Sequence, residues 1–279
     1  MSEPTPPGAS AENGRLWGAR ARDWAEVQEG QCRPAFEAVF DRVGLGAGAR
    51  CCDVGCGAGL AALLASHRGA RVCGVDAAEG LLDLARSRLP AGDFRLGDLQ
   101  ALPFADGSFD LVTGFNSFQF AADPVAALAE ARRVLRPDGR VVVLAWGDPQ
   151  GMDAATLLLA LKPLLLPPPP GAPGPFVLSD RRVLTALVER AGLSVQAVSD
   201  LACDWTYPDL HTALRGLGAS GGAARAIEQV GAEAVDRAHE QALAPFRQDD
   251  GSYRLGASFH WVLATNAADA AVPAGASSV

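Results

Sequence analysis

Apolar residues recur along the chain in two rhythms. Between Leu16 and Val43, the residues Leu16, Trp17, Trp24, Val27, Phe36, Val39 and Phe40 fall largely at helical spacing with an interruption at Pro34, which predicts two helices ahead of the core. From Ala49 the rhythm changes to short apolar runs alternating with helix-length amphipathic segments, the pattern of βαβ units and a parallel sheet. The runs Arg50 to Val54, Ala70 to Val75, Phe94 to Gly97, Phe109 to Phe115 and Arg140 to Trp146 predict strands. Between them, Leu81, Leu82, Ala85 and Leu89 share a helix face. Asp123-Pro124 reads as an N-cap with proline at N1 for a helix ending near Leu135, and Pro137-Asp138-Gly139 as the turn into the fifth strand.

After Trp146 the alternation gives way to Pro163, the run Pro167 to Pro170, Pro173 and Pro175, a composition that is stiff and extended. A helix from about Ser179 to Ala191, a strand from Leu193 to about Cys203 and a last strand from Tyr253 to Thr265 resume the α/β pattern. A Gly- and Ala-rich helical insertion from about Pro208 to Pro245 has few large core residues and is expected to cap the sheet edge, with Trp205 and Tyr207 at its start. Residues 1–13 and 267–279 carry no apolar period and are expected to be disordered. Residues 14–266 then form one domain, with a core at about 49–205 and 252–265 and cap segments at about 150–178 and 206–247.

Composition narrows the classes. The chain has 279 residues, 49% hydrophobic and 20% charged, enough to bury a full core. Its 24 Lys and Arg against 32 Asp and Glu give a net charge of −8, which argues against a sequence-independent nucleic-acid binder. The longest apolar run, Ala154 to Leu166, is broken by Lys162 and Pro163 and falls short of the roughly 20 residues that span a bilayer. Met1 to Ser10 has Glu3 and three prolines where a secretory signal would carry basic charge and an apolar stretch, so a cytoplasmic protein without a membrane partner is expected. Six cysteines without an even framework read as reduced thiols. Cys52 and Cys56 have no second pair to complete a metal site, so no metal is expected.

The informative stretch is Asp53-Val54-Gly55-Cys56-Gly57-Ala58-Gly59, where a buried strand ends and a helix begins. Glycines there let the backbone turn sharply and approach a ligand. Asp76 closes the second strand 21 residues after Gly55, where an acidic residue accepts hydrogen bonds from ribose hydroxyls or caps the following helix. A dinucleotide site follows G-x-G-x-x-G/A, whereas this chain has Leu60 at the third small position, which favours a ligand without a pyrophosphate.

The loop, together with Val75-Asp76, Gly97-Asp98-Leu99 and Leu135-Arg136-Pro137-Asp138-Gly139, resembles the class I S-adenosylmethionine-dependent methyltransferases of the small-molecule branch. The resemblance covers residues 49 to 146 and implies an α/β, Rossmann-like fold. Its sheet is seven-stranded and mostly parallel with one antiparallel strand near the edge, has helices on both faces, and binds S-adenosylmethionine across the strand carboxyl ends. By the same resemblance Gly55, Cys56 and Gly57 meet the methionine part, Asp76 the ribose and Ala77 the adenine, with Asp98 and Leu99 at the adenine edge. Asp53 orients the loop and the cofactor's amino group, and Phe115 and Asn116 lie near the methionine moiety.

Methyl transfer from a sulfonium depends on alignment, with a general base needed mainly for a protonated nucleophile. Phe118 and Gln119 follow the fourth strand and Trp146 closes the fifth, so these side chains, with Trp205 and Tyr207, are the candidate acceptor contacts. Trp17 and Trp24 lie seven residues apart, on one face of an N-terminal lid helix or of a helix packed on the core, and Trp24 is a further acceptor candidate. Arg20 and Arg22 are candidates for the cofactor carboxylate. His211 is the histidine best placed for a base, although no carboxylate partner is spaced to orient it. The expected function is methyl transfer to a small, mostly apolar metabolite, of the kind met in natural-product biosynthesis, with S-adenosylhomocysteine as product. The alternatives are an NAD(P)-dependent oxidoreductase and a protein that binds the cofactor without methylating. No residue selects among oxygen, nitrogen, carbon and sulfur acceptors, or between monomer and homodimer.

Overall fold

Val141, Val143 and Ala145 pack into one cluster and Val142, Leu144 and Trp146 into another, all of them buried. Successive side chains of a strand point to opposite faces, so a strand apolar at both must be covered on both. In the computed structural model, which describes residues 9–167 and 172–266, seven strands meet this demand in one sheet. They are β1 (Arg50–Val54), β2 (Arg71–Asp76), β3 (Asp93–Leu96), β4 (Phe109–Phe115), β5 (Leu135–Trp146), β6 (Leu193–Tyr207) and β7 (Tyr253–Asn266). Their order is β3-β2-β1-β4-β5-β7-β6, and β7 runs antiparallel to both neighbours while the pairs among β1 to β5 are parallel. This is the mixed, Rossmann-like sheet that the sequence predicts.

The chain begins with α1 (Ala9–Gly18), α2 (Ala21–Asp23), a π-helical turn at Trp24–Gln28, a 3-10 turn at Glu29–Cys32 and α3 (Arg33–Val43). The sheet strands then alternate with α4 (Leu60–His67), α5 (Glu79–Arg88), α6 (Pro124–Val134), α7 (Asp153–Ala160) and α8 (Arg181–Arg190). Between β6 and β7 come α9 (Leu210–Leu217), α10 (Gly221–Val230) and α11 (Ala232–Leu243). One face of the sheet is covered by α6 and α8 through Leu128, Ala131, Leu184 and Val188, and the other by α3, α4 and α7 through Val39, Phe40, Leu64 and Leu157. Each such fully buried Val, Leu or Phe contributes about 1.5–3 kcal/mol. Asp123 caps α6 as its sequence predicts, accepting from the N–H groups of Val125 and Ala126 at 2.9 and 3.1 Å.

Four boundaries differ from the sequence reading. The first helix starts at Ala9, within the stretch expected to be disordered, because contacts far along the chain hold it. Asn13 Nδ2 donates to the Phe120 carbonyl at 3.0 Å, and a Cβ on Gly14 would stand 2.0 Å from the Ala77 oxygen. Second, Pro34 sits in the first turn of α3, where its missing N–H costs nothing, and the helical run breaks earlier, at the π and 3-10 turns. Third, β5 begins at Leu135, opposite Phe109, and a register shift between Phe109 and Leu111 accommodates Pro137-Asp138-Gly139 inside the strand rather than before it. Fourth, β6 continues to Tyr207, so Trp205 and Tyr207 are strand residues, opposite Leu255 and Tyr253, and not the start of the cap. Residues 1–8, 168–171 and 267–279, which include most of the four-proline run and the C-terminal stretch expected to be disordered, lie outside the described residues. Among the described residues no helix is long and apolar enough to cross a membrane.

Candidate functional site

The glycine loop leaves β1 and is fastened to β2 at once. Gly55 and Cys56 both donate their N–H to the Val75 carbonyl, at 2.7 and 3.0 Å. Gly59 has φ of 82°, and a Cβ there would approach Ala85 Cβ to 2.9 Å, so glycine brings the loop onto α5. Gly57 has φ of 53° and faces a cradle: a Cβ there would lie 3.4 Å from Glu29 Oε1 and 3.5 Å from Trp24 Nε1. The Gly57 N–H donates to Asp76 Oδ2 at 2.8 Å, and the Leu60 N–H, at the start of α4, donates to Glu29 Oε1 at 3.2 Å.

Three carboxylates surround this loop. Asp76 at the end of β2 accepts from Gly57 with one oxygen and from the Ala78 N–H with the other at 2.9 Å. Burial pushes its pKa up, and the N–H groups of Ala78, Gly57 and Ala77 oppose the rise. Asp53, 3% exposed, accepts the Thr113 hydroxyl at 2.8 Å. Burial pushes it up to about 7 against the pull of Thr113, and the nearby Glu29 and Asp76 add to the rise. Glu29, 6% exposed, meets Arg88 at 2.6 Å; burial raises its pKa, with the Arg88 charge and the Leu60 and Ala58 N–H groups opposing.

The other predicted cofactor contacts rim the same strand ends. Cys56 is buried behind the loop, its sulfur against Gly74. Ala77 follows β2 under Gly14 of α1, while Asp98 is half-buried and holds its own turn by accepting from the Gln100 N–H at 2.8 Å. Leu99, also half-buried, packs against the core beneath the sheet. Phe115 ends β4 and packs on Phe36 and Phe40 of α3, with centroids at 4.6 and 5.6 Å. Asn116 is the one non-glycine residue with positive φ among the described residues, at 53°. Asparagine tolerates that region better than most side chains, and such strain clusters at functional sites. Ser117 Oγ is buried beside the loop, 3.2 Å from the Cβ position of Gly55, with no hydrogen-bond partner.

The acceptor candidates separate. Trp146 and Trp205 meet edge to face at 5.4 Å, Phe259 stacks on Trp146 at 4.8 Å and Phe176 reaches it at 6.2 Å, so an aromatic cluster stands at the end of β5. Phe118 is not part of it: wholly buried, it packs with Val112 and Leu128 on the opposite face, because the turn after Asn116 drives its ring against Gly114. Gln119 is wholly buried and donates to Asn116 Oδ1 at 3.2 Å, bracing the turn. Tyr207, 1% exposed, gives its hydroxyl to Gln28 Oε1 at 2.9 Å and is committed to holding the N-terminal segment. Trp24 stands at the glycine loop, edge to face with Trp17 at 4.9 Å, rather than among the aromatic cluster. Arg20 is bonded to Asp23 at 2.9 Å and Arg22 is exposed. His211 is exposed on the first turn of α9.

Two residues that the sequence did not single out stand at the glycine loop: Glu29 and Arg88 join only through tertiary structure, 59 residues apart in the chain, and no local pattern announces them. Elsewhere, His239 is buried on α11 with Nδ1 unpartnered, and desolvation lowers its pKa to about 4, which keeps it neutral. Among the described residues no group of three or more His, Cys, Asp or Glu is arranged to hold a metal ion.

Residues 52–143 match the model of a methyltransferase domain family. The match agrees with the resemblance to the class I S-adenosylmethionine-dependent methyltransferases over this stretch of the chain. Demethylmenaquinone methyltransferase of Renibacterium salmoninarum is 39% identical over 120 residues, 43% of this chain and 51% of that protein. Methyltransferase GfsG of Streptomyces halstedii is 33% identical over 184 residues, 60% of each chain. The crystal structure of the YcgJ protein of Bacillus subtilis superposes with a TM-score of 0.58 at 20% identity, covering 85% of this chain and 99% of that one, and supports the fold. The chain spans 31% to 60% of the length of the first curated relatives it matches. The matched residues include the predicted cofactor contacts from Asp53 to Asn116, whereas Arg20, Arg22, Trp24, Trp146, Trp205 and Tyr207 fall outside them.

Proposed function

We propose that the chain binds S-adenosylmethionine at the glycine loop and transfers its methyl group to a small, mostly apolar acceptor, leaving S-adenosylhomocysteine. The observation that carries the reading is the double use of Asp76, which fixes Gly57 and the start of α5 with one hydrogen bond to each oxygen. A carboxylate oxygen has a further lone pair, so the same group accepts ribose hydroxyls while holding the loop. The residues fit the cofactor in two further ways: Gly57, at a φ of 53° that L side chains rarely adopt, leaves its backbone bare beside Glu29 and Trp24, and the orphaned Ser117 hydroxyl beside Gly55 has a donor and acceptor to spare.

When bound, the cofactor supplies a methyl group made electrophilic by the sulfonium. The chain's part is to hold and align. Asp53 faces the loop from β1 as the partner for an amino group, Phe115 and Asn116 close the end of β4, and Trp24 covers Gly57. Trp146, Trp205, Phe176 and Phe259 offer an aromatic wall that suits an apolar acceptor and excludes water, so that alignment supplies much of the rate. That one relative is named for demethylmenaquinone supports an acceptor with apolar character. The oxidoreductase alternative is opposed by Leu60 at the third small position and by the Gly57 and Leu60 N–H groups, which a dinucleotide's pyrophosphate would need and which Asp76 and Glu29 already take.

The test is incubation of the purified protein with methyl-labelled S-adenosylmethionine and a panel of prenylated quinols, phenols and polyketide alcohols. Label in an acceptor together with stoichiometric S-adenosylhomocysteine is expected. Cofactor binding with no transfer to any class in the panel would contradict the acceptor reading.

A further inference from the structure

Trp24 opens the π-helical turn, in which the Glu29 N–H reaches back five residues to the Trp24 carbonyl. The turn is gripped from a distant part of the chain. Arg215 of α9, 192 residues after Asp23, donates through Nε to Asp23 Oδ1 at 2.6 Å and through Nη2 to Glu26, so one guanidinium holds the carboxylates before and after Trp24. That group is planar and rigid, which fixes both acceptors at once. The next residue, Gly216, lets α9 close on the same turn: a Cβ there would lie 2.6 Å from Val27 Cγ1 and 3.0 Å from Gln28 Oε1. The side chains of Asp23, Arg215 and Glu26 are 23%, 33% and 48% exposed, and ion pairs so open to water contribute little to stability. What they set is position.

α10 holds the preceding helix in the same way. Its Arg225 meets Glu12 at 3.2 Å, its Glu228 accepts from Arg15 Nη2 at 3.1 Å, and a Cβ on Gly221 would lie 2.7 Å from Trp17 Nε1. Trp17 in turn packs edge to face on Trp24. On the inner side both stretches rest on the strand ends, Gly14 against the Ala77 carbonyl and Trp24 Nε1 3.5 Å from the Cβ position of Gly57. Contacts therefore run unbroken from α9 through Asp23 and Glu26 to Trp24 and the glycine loop, and from α10 through Trp17 to the same ring. α9 also sends Ala213 and Leu217 into the buried cluster that holds Trp146 and Trp205.

We infer that Arg215 is a positioning residue for the glycine loop: from α9 it sets Trp24 over Gly57, so that the segment Ala9–Cys32 and the helices α9 and α10 respond as one body to a ligand on the loop. The inference rests on the proposed reading of the loop as the cofactor site. Among the described residues the hydrogen bonds of Arg215 go to Asp23 and Glu26 alone, so its effect on a ligand at Gly57 passes through the turn that carries Trp24. Coupling of this kind is reciprocal. A cofactor that steadies α9 through Trp24 is bound less well when α9 lets Trp24 go.

The experiment is amide hydrogen exchange and calorimetric titration of the full chain with S-adenosylhomocysteine, on wild type, Arg215→Ala, Arg215→Lys, Trp24→Leu and the Trp24→Leu, Arg215→Ala double variant. In wild type the ligand is expected to slow exchange in the glycine loop and, together with it, in Trp24–Gln28, α9 and α10. Arg215→Ala is expected to bind about tenfold more weakly and to protect the loop without protecting α9 and α10. Arg215→Lys, which keeps the charge and loses the fork, should fall between. On the Trp24→Leu background Arg215→Ala is expected to cost less than about threefold more, because the two act through one contact. The wild-type exchange pattern needs no variant to fold. Protection confined to the loop in wild type, an affinity unchanged in Arg215→Ala, or fully additive losses in the double variant would overturn the inference and leave the cofactor reading standing. A wild type that does not bind the ligand would remove the cofactor reading, and the inference with it.

Discussion

Gln31 pairs with Thr206 as a strand would, its side-chain amide donating to the Thr206 carbonyl and accepting from the Thr206 N–H, each at 2.8 Å. Thr206 lies on β6, the edge strand of the sheet, whose outer N–H and C=O groups would otherwise face solvent. One glutamine thereby covers the edge and pins the segment that carries Trp24 and Glu29 across the strand ends. Gln31→Ala is expected to cost about 1–2 kcal/mol in urea denaturation and to speed proteolytic cleavage between Trp24 and Cys32. Unchanged cleavage would show that the segment is held elsewhere.

The contact of α1 with the sheet end rests on Gly14. Alanine is the better helix former by about 1 kcal/mol, so on propensity alone Gly14→Ala would stabilise α1. The added Cβ would instead meet the Ala77 oxygen at 2.0 Å, and α1 must lift. The expected outcome is faster amide hydrogen exchange across α1 and a lower Tm. A raised Tm would contradict the packing.

Asp53 makes stability depend on pH in a defined window. Its folded pKa of about 7 lies above the ordinary 3.8, so its protonated form is favoured in the folded state. The stability it contributes is fully present below pH 3.8 and is lost as the pH rises through about 7, at up to about 1.4 kcal/mol per pH unit. Denaturation curves at pH 5 and 7.5 should show wild type losing more stability than Asp53→Asn between the two. Parallel loss in both proteins would place the titration on another group.

His211→Ala is expected to leave methyl transfer within about twofold, as for an exposed surface residue. A loss of a hundredfold or more, with the fold intact by circular dichroism, would return it to the site as a base.

The strands and the loop were legible because each is a local signal. Short apolar runs bounded by turn residues mark β1 to β5, and Asp53 to Gly59 lies where a strand meets a helix. The end of β6 carries a local signal as well, with Cys203, Trp205 and Tyr207 buried and Asp204 and Thr206 exposed in a period of two, but the sequence reading stopped the strand near Cys203 and gave Trp205 and Tyr207 to the cap. Glu29, Arg88 and the first turn of α1 carry no such signal. Their positions follow from contacts between segments far apart in the chain, and Phe118 packs on the face opposite the aromatic cluster after the backbone turns left-handed at Asn116.

The central claim is that the glycine loop and Asp76 bind S-adenosylmethionine. Parallel calorimetric titrations of wild type and Asp76→Ala with S-adenosylmethionine and NAD test it most directly. The account predicts binding of S-adenosylmethionine, weakened about tenfold or more by Asp76→Ala, and no binding of NAD. NAD bound in its place, or S-adenosylmethionine bound equally by both proteins, would contradict it.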